Sequence, residues 1–236
     1  MKTTVRSITF CGASRRVSRT AGRLFFPLAV AMLCLPLTAR AGRIDSVNSI
    51  SGPGLGTVNI PLISTVNVNN DNQTGGGIAD NNITVPIKRF DNIGYIDIEF
   101  NVSGTGGVTE YKITESVDND TGIFWNAYTM VLGFGTGIDF DPSPAGDGLD
   151  FDAPLYDLLP TSGAFGAVAT SEDMLVFSGG VHNLALQLYT LRIDVPDDIV
   201  RFTLRQYPTA VPEPSTIALG AMAMIGLCAF ARRRRN

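Results

Sequence analysis

The sequence predicts an all-β chain: an antiparallel β-sandwich of about eight or nine strands, flanked by an N-terminal signal peptide and one C-terminal transmembrane helix. Three observations carry that expectation. Residues 43–210 are poor in strong helix formers and rich in Gly, Asn, Thr, Val and Ile; β-branched side chains suit a pleated surface, and Gly and Asn tolerate the positive φ of tight turns. Several short runs alternate apolar and polar residues with period two, separated by turn residues. Both ends differ from this middle, each placing an apolar run beside arginines.

The first segment, residues 1–41, reads as a secretory leader. Lys2, Arg6, Arg15, Arg16, Arg19 and Arg23 form a basic n-region, Leu24 to Leu37 an apolar h-region, and Ala39-Arg40-Ala41 an A-x-A cleavage site. Pro27 and Pro36 interrupt the apolar run, which disfavours a lasting membrane helix. The expected partners are the Sec translocon and signal peptidase, with cleavage after Ala41. Arg15-Arg16 raises the twin-arginine route, although Val17-Ser18-Arg19 after the pair fits that pattern poorly.

The body, residues 42–210, is expected to hold the sandwich. Thr57 to Thr65 reads as a strand and Asn67 to Gly77 as a loop. Ile83 to Phe90 is a strand whose Pro86 marks an edge or a bulge. In Tyr95 to Ser103, Ile96, Ile98, Phe100 and Val102 share one face; in Val108 to Val117, Tyr111, Ile113, Glu115 and Val117 do. Gly104 to Gly107 between them predicts an antiparallel hairpin. After a turn at Asp118 to Gly122 comes a strand over Trp125 to Phe134, with Trp125, the single tryptophan, as a core anchor or a sugar-stacking platform. Residues 153–172 read as loop. Met174 to Phe177, Leu184 to Val195 and Ile199 to Tyr207 complete the strands, the last with Val200, Phe202, Leu204 and Gln206 on one side.

Charge and cysteine content exclude several chemistries. Of the 18 basic residues, seven lie in residues 1–42 and four in 211–236, which leaves seven in 43–210 against 21 of the 22 acids, a net charge of −14. Such a body repels nucleic acid and anionic lipid. Cys11, Cys34 and Cys228 all lie outside it, so it has no disulfide, no thiol nucleophile and no Cys-ligated zinc. His182 is its one histidine, so a Ser-His-Asp triad would have to use it; its position after Gly179-Gly180 predicts a surface turn. Asp139, Asp141, Asp147, Asp150 and Asp152 gather among prolines and glycines. Such an oxygen-rich loop is a candidate for Ca²⁺ or is a solvated acidic loop, and its spacing is not that of an EF-hand.

The last segment, residues 211–236, has three parts in fixed order. Pro212-Glu213-Pro214 forms an extended arm, Ile217 to Ala231 is apolar or Gly throughout, and Arg232, Arg233, Arg234 and Arg235 form a basic stop-transfer block. As a helix, 217–231 would be roughly 22 Å long, short of a bilayer core of about 30 Å unless the arginines snorkel. This arrangement resembles the PEP-CTERM sorting signal. The resemblance implies an exosortase as processing enzyme, with Pro212, Glu213 and Pro214 as its substrate residues. It further implies anchoring in the inner membrane before processing, then the cell surface or extracellular matrix of a Gram-negative bacterium, often one that makes biofilm and exopolysaccharide. The stretch Thr114 to Phe151, with its Asn119-Asp120-Thr121-Gly122 turn, Trp125 and Leu132-Gly133-Phe134-Gly135-Thr136-Gly137, is similar to choice-of-anchor ectodomains, which implies a β-sandwich.

Three functions follow as expectations. The first is a non-enzymatic structural, adhesive or exopolysaccharide-associated module with no catalytic residues and no resident cofactor. The second is a carbohydrate-active enzyme, since two carboxylates about 5–9 Å apart suffice for glycoside hydrolysis; such a pair would converge beside aromatics such as Trp125 and Tyr128. The third is a calcium-dependent binding domain.

Overall fold

The computed structural model describes residues 42–71, 81–152 and 159–210, with residues 220, 224 and 225. The expected leader lies outside the described residues, and so does the C-terminal segment apart from those three positions. No described helix is long and apolar enough to cross a membrane.

Two sheets carry the fold. The first is built from β1 (Gly42–Ser51), β5 (Ile96–Gly104), β13 (Arg201–Ala210), β7 (Trp125–Phe134), β11 (Met174–Gly180) and β10 (Phe165–Thr170), side by side in that order, with β8 (Asp141–Pro142) beside β7. The second is built from β2 (Leu55–Val58), β4 (Asn82–Phe90), β6 (Thr109–Asn119), β12 (Leu186–Val195) and β9 (Thr161–Ser162), again in that order, with β3 (Leu62–Ser64) beside β4. Their facing sides share one core, in which Ile98, Phe100, Leu132, Phe202 and Leu204 meet Ile113, Val117, Tyr189 and Leu191.

The all-β expectation holds, with four corrections. The predicted hairpin of β5 and β6 does not form: β5 lies between β1 and β13, whereas β6 lies between β4 and β12 in the other sheet. The intervening glycines therefore carry the chain from sheet to sheet, and the local turn rule yields to the burial of both apolar faces. The fold is not purely antiparallel, because β4 and β6 run parallel. The predicted strand over 57–65 is split into β2 and β3. Finally, β1, β9 and β10 occupy stretches read as loop or unassigned; β1 and β10 are edge strands with many exposed residues, so their burial pattern is irregular.

The inward faces follow the alternation read from the sequence. Ile96, Ile98, Phe100 and Val102 are buried, as are Tyr111, Ile113, Glu115 and Val117. In β13, Phe202, Leu204 and Gln206 point inward, while Val200 lies before the strand and is exposed. Trp125 is a core anchor with 0% exposure. It meets Phe90 edge-on at 5.2 Å, stacks on Tyr128 at 5.8 Å, and donates its indole N–H to Thr121 Oγ1 at 3.2 Å. Asn119 Oδ1 accepts from the Thr121 hydroxyl at 2.7 Å, which closes the turn that aims the indole inward.

β1 starts at Gly42, the residue after the predicted cleavage site, and pairs it with Gly104. Gly42 is buried against the Pro196 carbonyl, where a side chain would not fit.

Trp125→Ala is expected to lower the unfolding free energy by about 3–5 kcal/mol through the cavity it leaves and the lost indole hydrogen bond. Urea denaturation followed by far-UV circular dichroism measures this.

Candidate functional site

Simple alternation along β4 places Ile83, Val85 and Ile87 on one face. The structure keeps Ile83 and Val85 inward but then buries Lys88 and Phe90, and Ile87 is 40% exposed. The cause is a register shift: Val85 pairs with Glu115 and Lys88 with Val117, so β4 spends one more residue than β6. Pro86 sits in this bulge, where its missing N–H removes no ladder bond. The side-chain period of a strand is two, so one extra residue inverts every position beyond it. A lysine is thereby turned into the core.

There Lys88 meets Glu115 of β6 and Gln206 of β13, so the cluster joins the two sheets. Lys88 Nζ lies 2.6 Å from Glu115 Oε2, and both side chains are fully buried. Lys88 Nζ also donates to Gln206 Oε1, and Gln206 Nε2 donates to Glu115 Oε2 at 2.9 Å. Rings close the site, with Nζ 6.0 Å from the centre of Phe90 and 5.6 Å from that of Tyr128. Burial lowers the affinity of the Lys88 amine for its proton, and Glu115 only partly opposes this. Burial, followed by the Glu115 charge, holds the Tyr128 hydroxyl well above the usual phenol range. Alternation alone turns Glu115 and Gln206 inward; the signal that locates Lys88 is Pro86.

The five aspartates of the candidate calcium loop do not stay together. Asp139 ends a 3₁₀ turn over Gly137–Asp139 and Asp141 begins β8, both exposed. Asp147 accepts from Ser143 Oγ at 2.6 Å and from the Leu149 N–H at 3.0 Å, an internal turn. Asp150 joins Asp194 of β12 through paired backbone bonds, and Asp152 is buried with a φ of 50°. Among the described residues no group of three or more His, Cys, Asp or Glu side chains is placed to hold a metal.

Asp194 of β12 is a strongly perturbed carboxyl in this arrangement. It is 6% exposed, and its Oδ1 has no hydrogen-bond partner among the described residues. Burial first, then the charges of Asp150, Asp71, Asp152 and Glu110, pushes its pKa up to about 9.

His182 corrects an expectation: it is fully buried, not on the surface. Its Nδ1 pairs with the Tyr189 hydroxyl at 3.0 Å and its Nε2 with the Ala185 carbonyl at 2.9 Å, so both ring nitrogens are satisfied without solvent. Burial lowers its pKa. Neither ring nitrogen faces a serine or an aspartate, so the triad geometry is not present at this residue. Trp125 and Tyr128, the aromatics that would flank a sugar-cleaving carboxylate pair, both have 0% exposure inside the core.

An aromatic surface exists elsewhere. Arg205 of β13 grips buried Asp97 of β5 with two bonds of 2.7 and 2.8 Å and donates to the Gly137 carbonyl at 2.7 Å. Its guanidinium carbon lies 4.0 Å from the ring centres of both Tyr95 and Phe140. Beside it a cavity of about 290 Å³ is lined by Ile93, Gly94, Tyr95, Arg205, Tyr207 and Pro208. It lies near the end of β13, the strand that runs into the C-terminal segment.

The described body is thus a two-sheet β-sandwich whose last strand, β13, ends at Ala210. Residues 210–235 match the PEP-CTERM protein-sorting motif, and the chain carries that motif. The motif marks an exported protein sorted at the membrane by an exosortase. No curated protein matches the chain, and no solved structure does.

The Asp194 environment sets a pH dependence. Its folded pKa of about 9 lies above the ordinary value of 3.8, so across that interval the folded state holds a proton that the unfolded state releases. Stability is therefore expected to fall as pH rises from 5 to 8, by at most about 1.4 kcal/mol per pH unit from this group. Asp194→Asn flattens that slope, as denaturant titrations at several pH values would record.

Proposed function

We propose that this chain is a non-enzymatic surface or matrix protein of a Gram-negative bacterium. It passes the Sec translocon, loses residues 1–41 to signal peptidase, and is held in the inner membrane by the C-terminal helix. An exosortase then acts at Pro212-Glu213-Pro214, and the sandwich is delivered to the cell surface or the extracellular matrix as a structural or exopolysaccharide-binding module of a biofilm.

The sorting motif carries this reading, because its Pro-Glu-Pro triplet follows β13 after a single intervening residue, Val211. One residue in sequence lies between the end of β13 and the triplet, so an enzyme acting there works close to the folded body. The cavity lined by Tyr95, Tyr207 and Pro208 supports the binding role: flat apolar faces beside polar groups suit the faces of sugar rings. The acidic body disfavours nucleic acid and anionic lipid as ligands.

Mass spectrometry of the mature protein from its own cells tests the sorting reading. The expected chain begins at Gly42 and ends near Pro214; retention of Arg232 to Arg235 would overturn it. For the binding role, Tyr207→Ala is expected to weaken association with the producing cell's exopolysaccharide about threefold to tenfold. Equal binding of variant and wild type in a sedimentation assay would remove the cavity from the proposal.

A further inference from the structure

We propose that Lys88 and Gln206 become joined by an intramolecular isopeptide bond, formed in the folded protein with Glu115 as the catalytic acid–base residue. The site requires nothing from the sorting reading and stands on the interior geometry alone.

The reaction needs an amine nucleophile, a carboxamide, a group that moves one proton between them, and exclusion of water. The amine is Lys88 Nζ, which already contacts the Gln206 carboxamide through Oε1. The proton carrier is Glu115, whose Oε2 lies 2.6 Å from Lys88 Nζ and 2.9 Å from Gln206 Nε2, the atom that must leave. One carboxyl oxygen therefore touches both the attacking and the departing nitrogen. Water is excluded because Lys88, Glu115 and Gln206 are each 0% exposed, behind the rings of Phe90 and Tyr128.

Burial also sets the reactive protonation state. A lysine amine is nucleophilic only when neutral, and desolvation lowers the Lys88 pKa. Transfer of its proton to Glu115 turns an ion pair into a neutral amine and a carboxylic acid, which an apolar interior tolerates far better. The amine nitrogen attacks Cδ of Gln206, whose oxygen takes up the developing negative charge. Glu115 donates its proton to Nε2 and recovers one from Nζ as the Cδ–Nε2 bond breaks. The products are a secondary amide between Nζ and Cδ, one molecule of ammonia, and a regenerated Glu115. No oxidation, metal or co-substrate is involved.

The placement of the three residues favours a cross-link over an isolated buried ion pair. Gln206 hydrogen-bonds both members of the pair, as a buried ion pair requires, and does so in reactive order, with one Glu115 oxygen between the attacking nitrogen and the nitrogen that leaves. The three come from β4, β6 and β13, distant in sequence, and the bond would tie one sheet to the other in a body with no cysteine.

The test is peptide mapping of the mature protein from its own cells. Cleavage before aspartates releases residues 80–90 with Lys88 and a peptide starting at Asp198 with Gln206. The expected wild-type product is one linked species lighter than the sum of the two by about 17 Da, the mass of one ammonia. Tryptic cleavage after Arg205 is avoided, because it leaves Gln206 at a peptide terminus where cyclisation also releases ammonia. Lys88→Arg and Glu115→Gln are expected to abolish the linked species. Two separate wild-type peptides of unaltered mass would overturn the proposal, and that result does not depend on any variant folding. A linked species that persists in Glu115→Gln would overturn the role of Glu115.

Discussion

A lysine amine folded between two apolar sheets must be matched by a partner that can take or balance its proton, and that requirement organises the interior of this protein. Lys88 and Glu115 are both fully buried, and Gln206 uses its carboxamide to serve each of them. Removing one member would strand the other, at about 3–5 kcal/mol for a buried pair. The registers of β4, β6 and β13 must therefore be right together. The bulge at Pro86 is the local event that makes this possible, since without it the lysine would face solvent and Ile87 the core.

The arginine on the opposite side of β13 works by a related principle. Arg205 satisfies buried Asp97 and the Gly137 carbonyl while lying against two rings. It ties the long excursion after β7 back to the middle of the first sheet. The surface beside it keeps an aromatic lining that the core aromatics, Trp125 and Tyr128, cannot offer because they are buried.

What could be read from the sequence depended on how local the determinant was. The sorting motif was legible because its triplet, apolar run and arginines are contiguous, and the motif match falls on the same residues. The inward faces of β5, β6 and β13 were legible because period two is a local property. Strand pairing was not: the glycines between β5 and β6 satisfy the rules for a hairpin, and only the pairing of β5 with distant β1 and β13 decides against it. Lys88 was hidden by the parity change at Pro86, although that proline signals a bulge. His182 was misplaced because turn position suggests exposure, whereas its two ring nitrogens find partners in Tyr189 and Ala185. The aspartate loop looked like one site because its members are close in sequence; the fold spreads them over a 3₁₀ turn, a short strand and a contact with β12.

The position of β13 has a mechanical consequence. It is an inner strand, paired to β5 over Arg201 to Gln206 and to β7 over Thr203 to Ala210, and its far end leads into the tail. Tension applied through that tail pulls the strand along its own axis, between two antiparallel neighbours. Its hydrogen bonds on both sides then bear the load together, in shear, whereas those of a peeled edge strand would break in succession. A body pulled through this strand would resist unfolding through the same ladder that holds its sheet together.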